Sequence, residues 1–336
     1  MVSTMATASP PAPWLVADIG GTHARFGLVD GPGRPVCHIQ RLRADEHAQL
    51  ADAVRAYLAS VPLPSSAPTR ACLAVATPLA GDEVVFTNSR WRFSRRALER
   101  ELGLLQLQLL NDFEALALAL PQLTADGLRA HAAMPAPHGT LAVVGPGTGL
   151  GVAGLIETGA GWQAIPGEGG HATLSAADDF EAAVLAAARR EVEHVSAERL
   201  LSGIGLPLLH RAVCAASGRP TEPEALSTEA IVQRGADGSD AGCAQTLAVF
   251  CAMLGSFAGN VALTLGARGG VYIGGGIVPR IADLFFASAF RERFEAKGRY
   301  RVYLQAIPTA LILDPHAALT GAALALEQSA GAAAWT

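Results

Sequence analysis

The sequence predicts an α/β protein made of two domains that face each other across a cleft. A strand, a glycine turn and a second strand occur twice, far apart in the chain. The first instance surrounds Asp18-Ile19-Gly20-Gly21-Thr22-His23-Ala24-Arg25, the second Gly145-Pro146-Gly147-Thr148-Gly149-Leu150-Gly151. Each is followed by further strands and helices, the pattern of two α/β units. The length of 336 residues suffices for two domains, and a chain half hydrophobic and only 16% charged can bury large cores.

The elements follow in order. Residues 1–13, rich in Ser, Thr, Ala and Pro, read as a frayed tail. Trp14 to Ile19 is an apolar run ending beside an acid, and alternation resumes from Arg25 to Val29, so the glycines form a hairpin tip. Leu50, Val54, Tyr57 and Leu58 have helical spacing over 46–60, ended by a Pro-rich segment at 61–68. Strands are expected at 71–76, 84–86 and 105–110, with Ser94 capping a helix that runs to Leu102. A helix over 113–120 stops at Pro121. The polar segment 123–139 reads as the domain boundary. Strands at 141–144 and 151–156 then flank the second glycine turn. Helices are expected at 177–193, 197–217, 226–234 and 239–267, a strand at 271–273, and a closing helix at about 315–328. The domains are thus expected at 14–122 and 123–316, the first completed by a C-terminal helix at about 317–330.

Composition removes several function classes. A net charge of −5 argues against a nucleic-acid surface. The five cysteines, Cys37, Cys72, Cys214, Cys243 and Cys251, show no C-x-x-C spacing and fit buried thiols in a reducing compartment. The N-terminus lacks the basic and apolar regions of a secretory signal. Residues 246–265 are the most membrane-like stretch, but Gly255, Ser256, Gly259 and Asn260 interrupt it, so a buried helix is expected.

The motifs point to phosphoryl transfer from a nucleotide. Backbone N–H groups in glycine turns bind phosphate because no Cβ blocks close approach. Neither turn carries the lysine of a Walker loop, and the second runs into a strand rather than the helix a dinucleotide fingerprint needs. Asp18, at a strand end beside the first turn, suits Mg²⁺, although a turn aspartate bonding its own backbone is the plainer alternative. Asn111-Asp112 follows an apolar run; Asp112 reads as a general base toward an acceptor hydroxyl, and the pair's plainer alternative is a helix cap. Gly167-Glu168-Gly169-Gly170-His171 offers a carboxylate and an imidazole to a polyol, or is simply a loop with an incidental histidine. Glu198, taken alone, reads as a solvated helix residue beside an N-capping Ser196.

Taken together, these segments resemble the bacterial glucokinases, the hexokinase-like group of the actin-like ATPase fold. The resemblance spans Asp18 to about Leu326. It rests on Asp18 to Arg25, Thr87-Asn88, Asn111-Asp112-Phe113, Gly145 to Gly151, Pro166 to His171, Ser196 to Gly203, Gly274 to Arg280, and Pro315-His316 with Gly321. It implies two ribonuclease-H-like domains and an ATP- and Mg²⁺-dependent transfer to the 6-hydroxyl of glucose. It further implies that Asp112 is the base, that Asn111, Asp112, Glu168, His171 and Glu198 bind the sugar, and that Asp18, Ile19, Gly20, Gly21, Thr22, Gly147, Thr148 and Gly149 surround the phosphates. The resemblance also implies that Asp18 is the metal residue and that Gly275 and Gly276 lie near the adenosine. His23 departs from the asparagine these enzymes usually carry. The zinc-binding cysteines of the related ROK-type kinases are absent. A cytoplasmic enzyme, a homodimer with glucose and ATP as partners and no nucleic acid or membrane, is the resulting expectation. Its alternatives are a kinase for another hexose or an N-acylated amino sugar, and a non-catalytic sugar sensor. A repressor is disfavoured, since too few residues precede Asp18 for a helix-turn-helix.

Overall fold

The structure is a computed structural model that describes residues 12–63, 66–79, 81–86, 90–220 and 225–333. Thr87-Asn88, and the expected tail as far as residue 11, lie outside the described residues. The chain divides into two compact units, Met1–Ala119 with His316–Thr336, and Leu120–Pro315.

The first unit is a five-stranded sheet with helices packed on it. Its elements are β1 (Trp14–Ile19), β2 (His23–Val29), β3 (Cys37–Arg43), α1 (Leu50–Ser60), β4 (Arg70–Val75), β5 (Glu83–Val85), β6 (Arg92–Ser94), α2 (Arg95–Glu101), β7 (Gln106–Asn111) and α3 (Asp112–Ala119). The sheet runs β3-β2-β1-β4-β7. Strands β1 to β3 form an antiparallel meander, and β4 and β7 add in parallel on the far side. Buried strands read as continuous apolar runs, as Trp14 to Ala17 and Ala71 to Val75 do. Helix α1 turns Leu50, Val54 and Tyr57 inward; Tyr57 stacks on Phe26 with ring centroids 5.3 Å apart and donates to the His38 carbonyl at 3.0 Å. A capping box between Gln49 and Asp52 starts this helix. The expected Ser94 cap is present: its hydroxyl accepts from Ala97 N.

The second unit contains β8 (Leu128–Ala130), β9 (Thr140–Pro146), β10 (Leu150–Thr158), β11 (Gly161–Ile165), α4 (Asp179–Ala188), α5 (Leu206–Ala216), α6 (Thr228–Ala236), α7 (Ala241–Leu265), β12 (Gly270–Ile273), α8 (Ala282–Ala287), α9 (Phe290–Glu295), α10 (Arg301–Gln305) and β13 (Thr309–Ile312). Its sheet runs β11-β10-β9-β12-β13-β8. The first five strands repeat the plan of the first sheet: a meander, then two strands parallel to its first member. The membrane-like stretch is the core helix α7, whose Leu247, Phe250, Leu254 and Ala258 are fully buried. Gly255 and Gly259 lie against the carbonyls of Phe290 and Phe294, where a Cβ has no room, so α9 approaches α7 closely.

The chain then returns to the first unit as α11 (Ala317–Ala333), packed on α3. Gly321 sits directly under the Ala115 carbonyl, a contact any side chain would break.

Candidate active site

The first unit gathers its candidates at one sheet edge. Ile19 on β1, Val75 on β4 and Asn111 on β7 share one register row of three adjacent parallel strands. The β1–β2 turn and the start of α3 therefore both emerge from the carboxyl ends of these strands, where open α/β sheets bind ligands. The turn is closed by Gly20 N donating to His23 O at 2.9 Å. Asp18 pairs with Arg25, its register partner on β2, at 2.8 Å. Burial pushes the Asp18 carboxyl above the usual carboxylate range, against the opposing pull of Arg25 and His316. His23, the departure from the family, lies with its Nε2 2.9 Å from an Arg41 guanidinium nitrogen. Burial, then Arg41, Arg43 and Arg25, hold its imidazole below the usual range.

At the other end of that row, the cap of α3 is shared out. Asn111 Oδ1 accepts from Phe113 N at 2.9 Å, and Glu114 accepts from Asn111 N at 2.9 Å. Asparagine thus caps the second helical N–H, and Glu114 supplies the returning half of a capping box. Asp112 is the first helical residue, with Oδ1 3.0 Å from Phe113 N. Its carboxylate stands at the positive end of the helix dipole.

In the second unit the β9–β10 turn, the Glu168 loop and the Glu198 loop form one assembly. The turn is a tight tip over Gly147, Thr148 and Gly149, closed by Gly147 N donating to Gly149 O at 2.8 Å. Glu198 reaches into it: Oε2 accepts from Leu150 N at 2.9 Å. A Cβ at Gly149 would strike that same oxygen. The other carboxylate oxygen lies 3.8 Å from His171 Nε2, and a Glu168 carboxylate oxygen lies 3.9 Å from the same nitrogen. Glu198 N donates to Gly170 O at 2.8 Å, and Gly170 has no space for a side chain under the Leu150 carbonyl. His171 and Glu168 are well exposed, at 60% and 62%, whereas Glu198 is 21% exposed. Glu198 is therefore held in a turn by the glycine tip, not solvated on a helix.

The last glycines join the same turn. Gly274 N donates to Val144 O at 2.9 Å and Ile277 N to Pro146 O at 3.2 Å. Gly275 has φ +78°, and a Cβ there would collide with the Pro146 carbonyl. Gly276 N is the nearest atom, at 3.9 Å, to a Cβ built on Gly147.

A family model described as Glucokinase matches residues 15–329. The chain is 49% identical to a glucokinase of Aromatoleum aromaticum over 94% of its length and 95% of that protein's. It is also 49% identical to a glucokinase of Chromobacterium violaceum, over 95% of this chain and 91% of that one. A crystal structure of a glucokinase from an Antarctic psychrotroph superimposes with a TM-score of 0.85 at 38% identity, covering 94% of this chain and 98% of that one. The chain belongs to the glucokinase family. The resemblance, the enzyme class and the actin-like ATPase fold expected from the sequence are borne out.

Within this family frame, several partners had no sequence signal of their own. Leu150 contributes only its backbone N–H, and Glu114 and Arg25 act through pairing visible only once β1, β2, β7 and α3 are in place. The buried Ser202, whose hydroxyl donates to Glu198 O at 2.6 Å and accepts from Gly205 N at 3.1 Å, belongs with them.

Proposed function

We propose that the chain phosphorylates glucose at its 6-hydroxyl with ATP, and that Asp112 is the base. The observation that carries this reading is the double engagement of Glu198. One carboxylate takes the N–H at the end of a glycine turn suited to phosphate and also faces the imidazole of an exposed, polyol-suited cluster. Glu168, His171 and Glu198 would accept from and donate to sugar hydroxyls, with Asn111 holding a neighbouring hydroxyl. Asp112 would take the proton of the 6-hydroxyl as that oxygen bonds to the γ-phosphorus and the bond to the β-phosphate oxygen breaks, releasing ADP. Ile19, Gly20, Gly21, Thr22, Gly147, Thr148 and Gly149 would cradle the phosphates, and Gly275 and Gly276 would lie near the adenosine.

Among the described residues no three His, Cys, Asp or Glu side chains cluster as a metal cage. Mg²⁺ needs no such cage, since it binds through one or two carboxylates plus substrate phosphates and water. Asp18 is the carboxylate this reading assigns to it, and the ion when bound would offset charge on the phosphates. A cytoplasmic homodimer is part of the same reading. Five free thiols fit a reducing compartment, and sedimentation equilibrium would check the dimer.

The test is a coupled assay of the purified protein against a panel of hexoses and phosphoryl donors. Glucose with MgATP is expected to give the highest kcat/KM. A higher value for fructose, mannose or an N-acylated amino sugar, or no turnover at all, would overturn the reading.

A further inference from the structure

We propose that Thr228 is a positioning residue that aims the second glycine turn at the nucleotide, an inference that rests on the phosphate role given to that turn above. The argument starts from the tip. Gly147 O accepts from Gly203 N at 2.8 Å and Thr148 O accepts from Ile204 N at 3.2 Å. Every peptide here is trans, so each N–H points opposite the carbonyl of its own peptide plane. The partner of Gly147 O in its plane is the N–H of Thr148, and the partner of Thr148 O is the N–H of Gly149. Pinning both carbonyls to residues 203–204 therefore turns two consecutive N–H groups toward the opposite side. Consecutive N–H groups on one side are the nest that binds a phosphate oxygen.

The pin is itself held. Gly203 O accepts from the Thr228 hydroxyl, the first residue of α6. Gly203 packs closely on the turn, since a Cβ there would lie 3.0 Å from Gly147 O. Helix α6 is anchored in turn: Ser227 caps it, and Gly235 lies against the Cys243 carbonyl and the Leu247 side chain of α7. A continuous chain of contacts thus runs from the core helix α7 through α6, Thr228 and Gly203 to the turn. Ser202 holds the Glu198 backbone carbonyl by a separate bond, so the main chain that carries the sugar-facing carboxylate has an anchor besides Thr228.

The test is the Thr228→Val variant, which keeps the shape and removes the donor, beside Thr228→Ser, which keeps the donor. Thr228→Val is expected to raise KM for ATP about fivefold, the scale of one lost hydrogen bond, with KM for glucose changed less than about twofold. Thr228→Ser is expected to restore the wild-type value. Calorimetric titration of ADP into each variant, with melting curves to show it folded, should give the same order. Equal rises in both KM values, no rise in either, or failure of serine to restore ATP affinity would overturn the proposal. If Thr228→Val does not fold, Thr228→Ser alone decides: a wild-type ATP KM supports the proposal and a raised one overturns it. A wild-type protein without glucose phosphorylation would instead count against the function proposed above, and ADP titration would still read the role of Thr228.

Discussion

Glu198, in a loop of the second unit, and Leu150, at the start of β10, are joined by a single bond of 2.9 Å from the Leu150 N–H to Oε2. With Oε1 3.8 Å from His171, one carboxylate serves two neighbours. Glutamine at 198 can still accept from Leu150 N but loses the charge; alanine loses both and strands a backbone donor. Glu198→Gln is expected to raise KM for glucose about tenfold or more, as a charged hydrogen bond becomes a neutral one, with KM for ATP little changed. Glu198→Ala is expected to raise both. Steady-state kinetics with each substrate varied separately checks this split.

Two glycines of the same turn should respond differently to alanine. At Gly147 a Cβ meets only ordinary contact, 3.9 Å from Gly276 N. Gly147→Ala is therefore expected to leave the melting temperature unchanged while raising KM for ATP about tenfold, as roughly 1.4 kcal/mol of phosphate contact is lost. At Gly149 the added carbon meets the Glu198 carboxylate. Gly149→Ala is expected to cost about 1–3 kcal/mol of stability, the usual cost of overpacking, and to raise KM for glucose as well. Thermal melts paired with kinetics separate the two cases.

Asp18 has its charge shared with Arg25 before any ligand binds. Asp18→Asn is expected to shift the Mg²⁺ activation curve to higher concentration while leaving glucose affinity, measured by calorimetry, near that of the wild type. An unchanged Mg²⁺ response would remove Asp18 from the metal-binding role.

His131 sets a pH limit on stability. Its ring packs among Phe285, Phe286 and Phe290, its Nδ1 lies 3.2 Å from the Thr309 hydroxyl, and its Nε2 is buried without a partner. Burial, with Arg291 and Arg129 adding to it, holds its pKa down at about 4 against an ordinary 6.5. The folded protein therefore binds fewer protons here than the unfolded chain between those values. The contribution is complete above pH 6.5 and is lost as pH falls toward 4, about 2 kcal/mol of it between pH 7 and pH 5. Urea unfolding at the two pH values should show that loss in the wild type and a correspondingly smaller one in His131→Phe.

Long, regular segments were legible in the sequence, and pairings were not. β1 runs from Trp14 to Ile19 as expected, and α7 spans 241–265 against an expected 239–267, because continuous apolar runs have no other place to go. β3 went unread because its residues, Cys37 to Arg43, are mostly polar and only partly buried at the sheet edge. The segment 278–314 went unread because α8, α9 and α10 have five or six residues each, too few to show a period. The helix expected from 197 begins only at Leu206, since Gly205 is wedged against the Arg199 carbonyl and Ser202 closes a turn instead. That misreading hid the seat of Glu198, whose partner is a backbone N–H supplied by β10.

The most direct test of the central claim is Asp112→Asn, assayed for turnover and titrated with glucose by calorimetry. Asparagine can still accept from Phe113 N, as Asp112 does at 3.0 Å, so the start of α3 should survive. It cannot take a proton from the sugar. The expected result is glucose binding close to wild type with kcat lower by about 10²–10⁴, the contribution of general-base catalysis, or roughly 3–5.5 kcal/mol of barrier. A folded Asp112→Asn protein that binds glucose and keeps most of its kcat would contradict the assignment of Asp112 as the base.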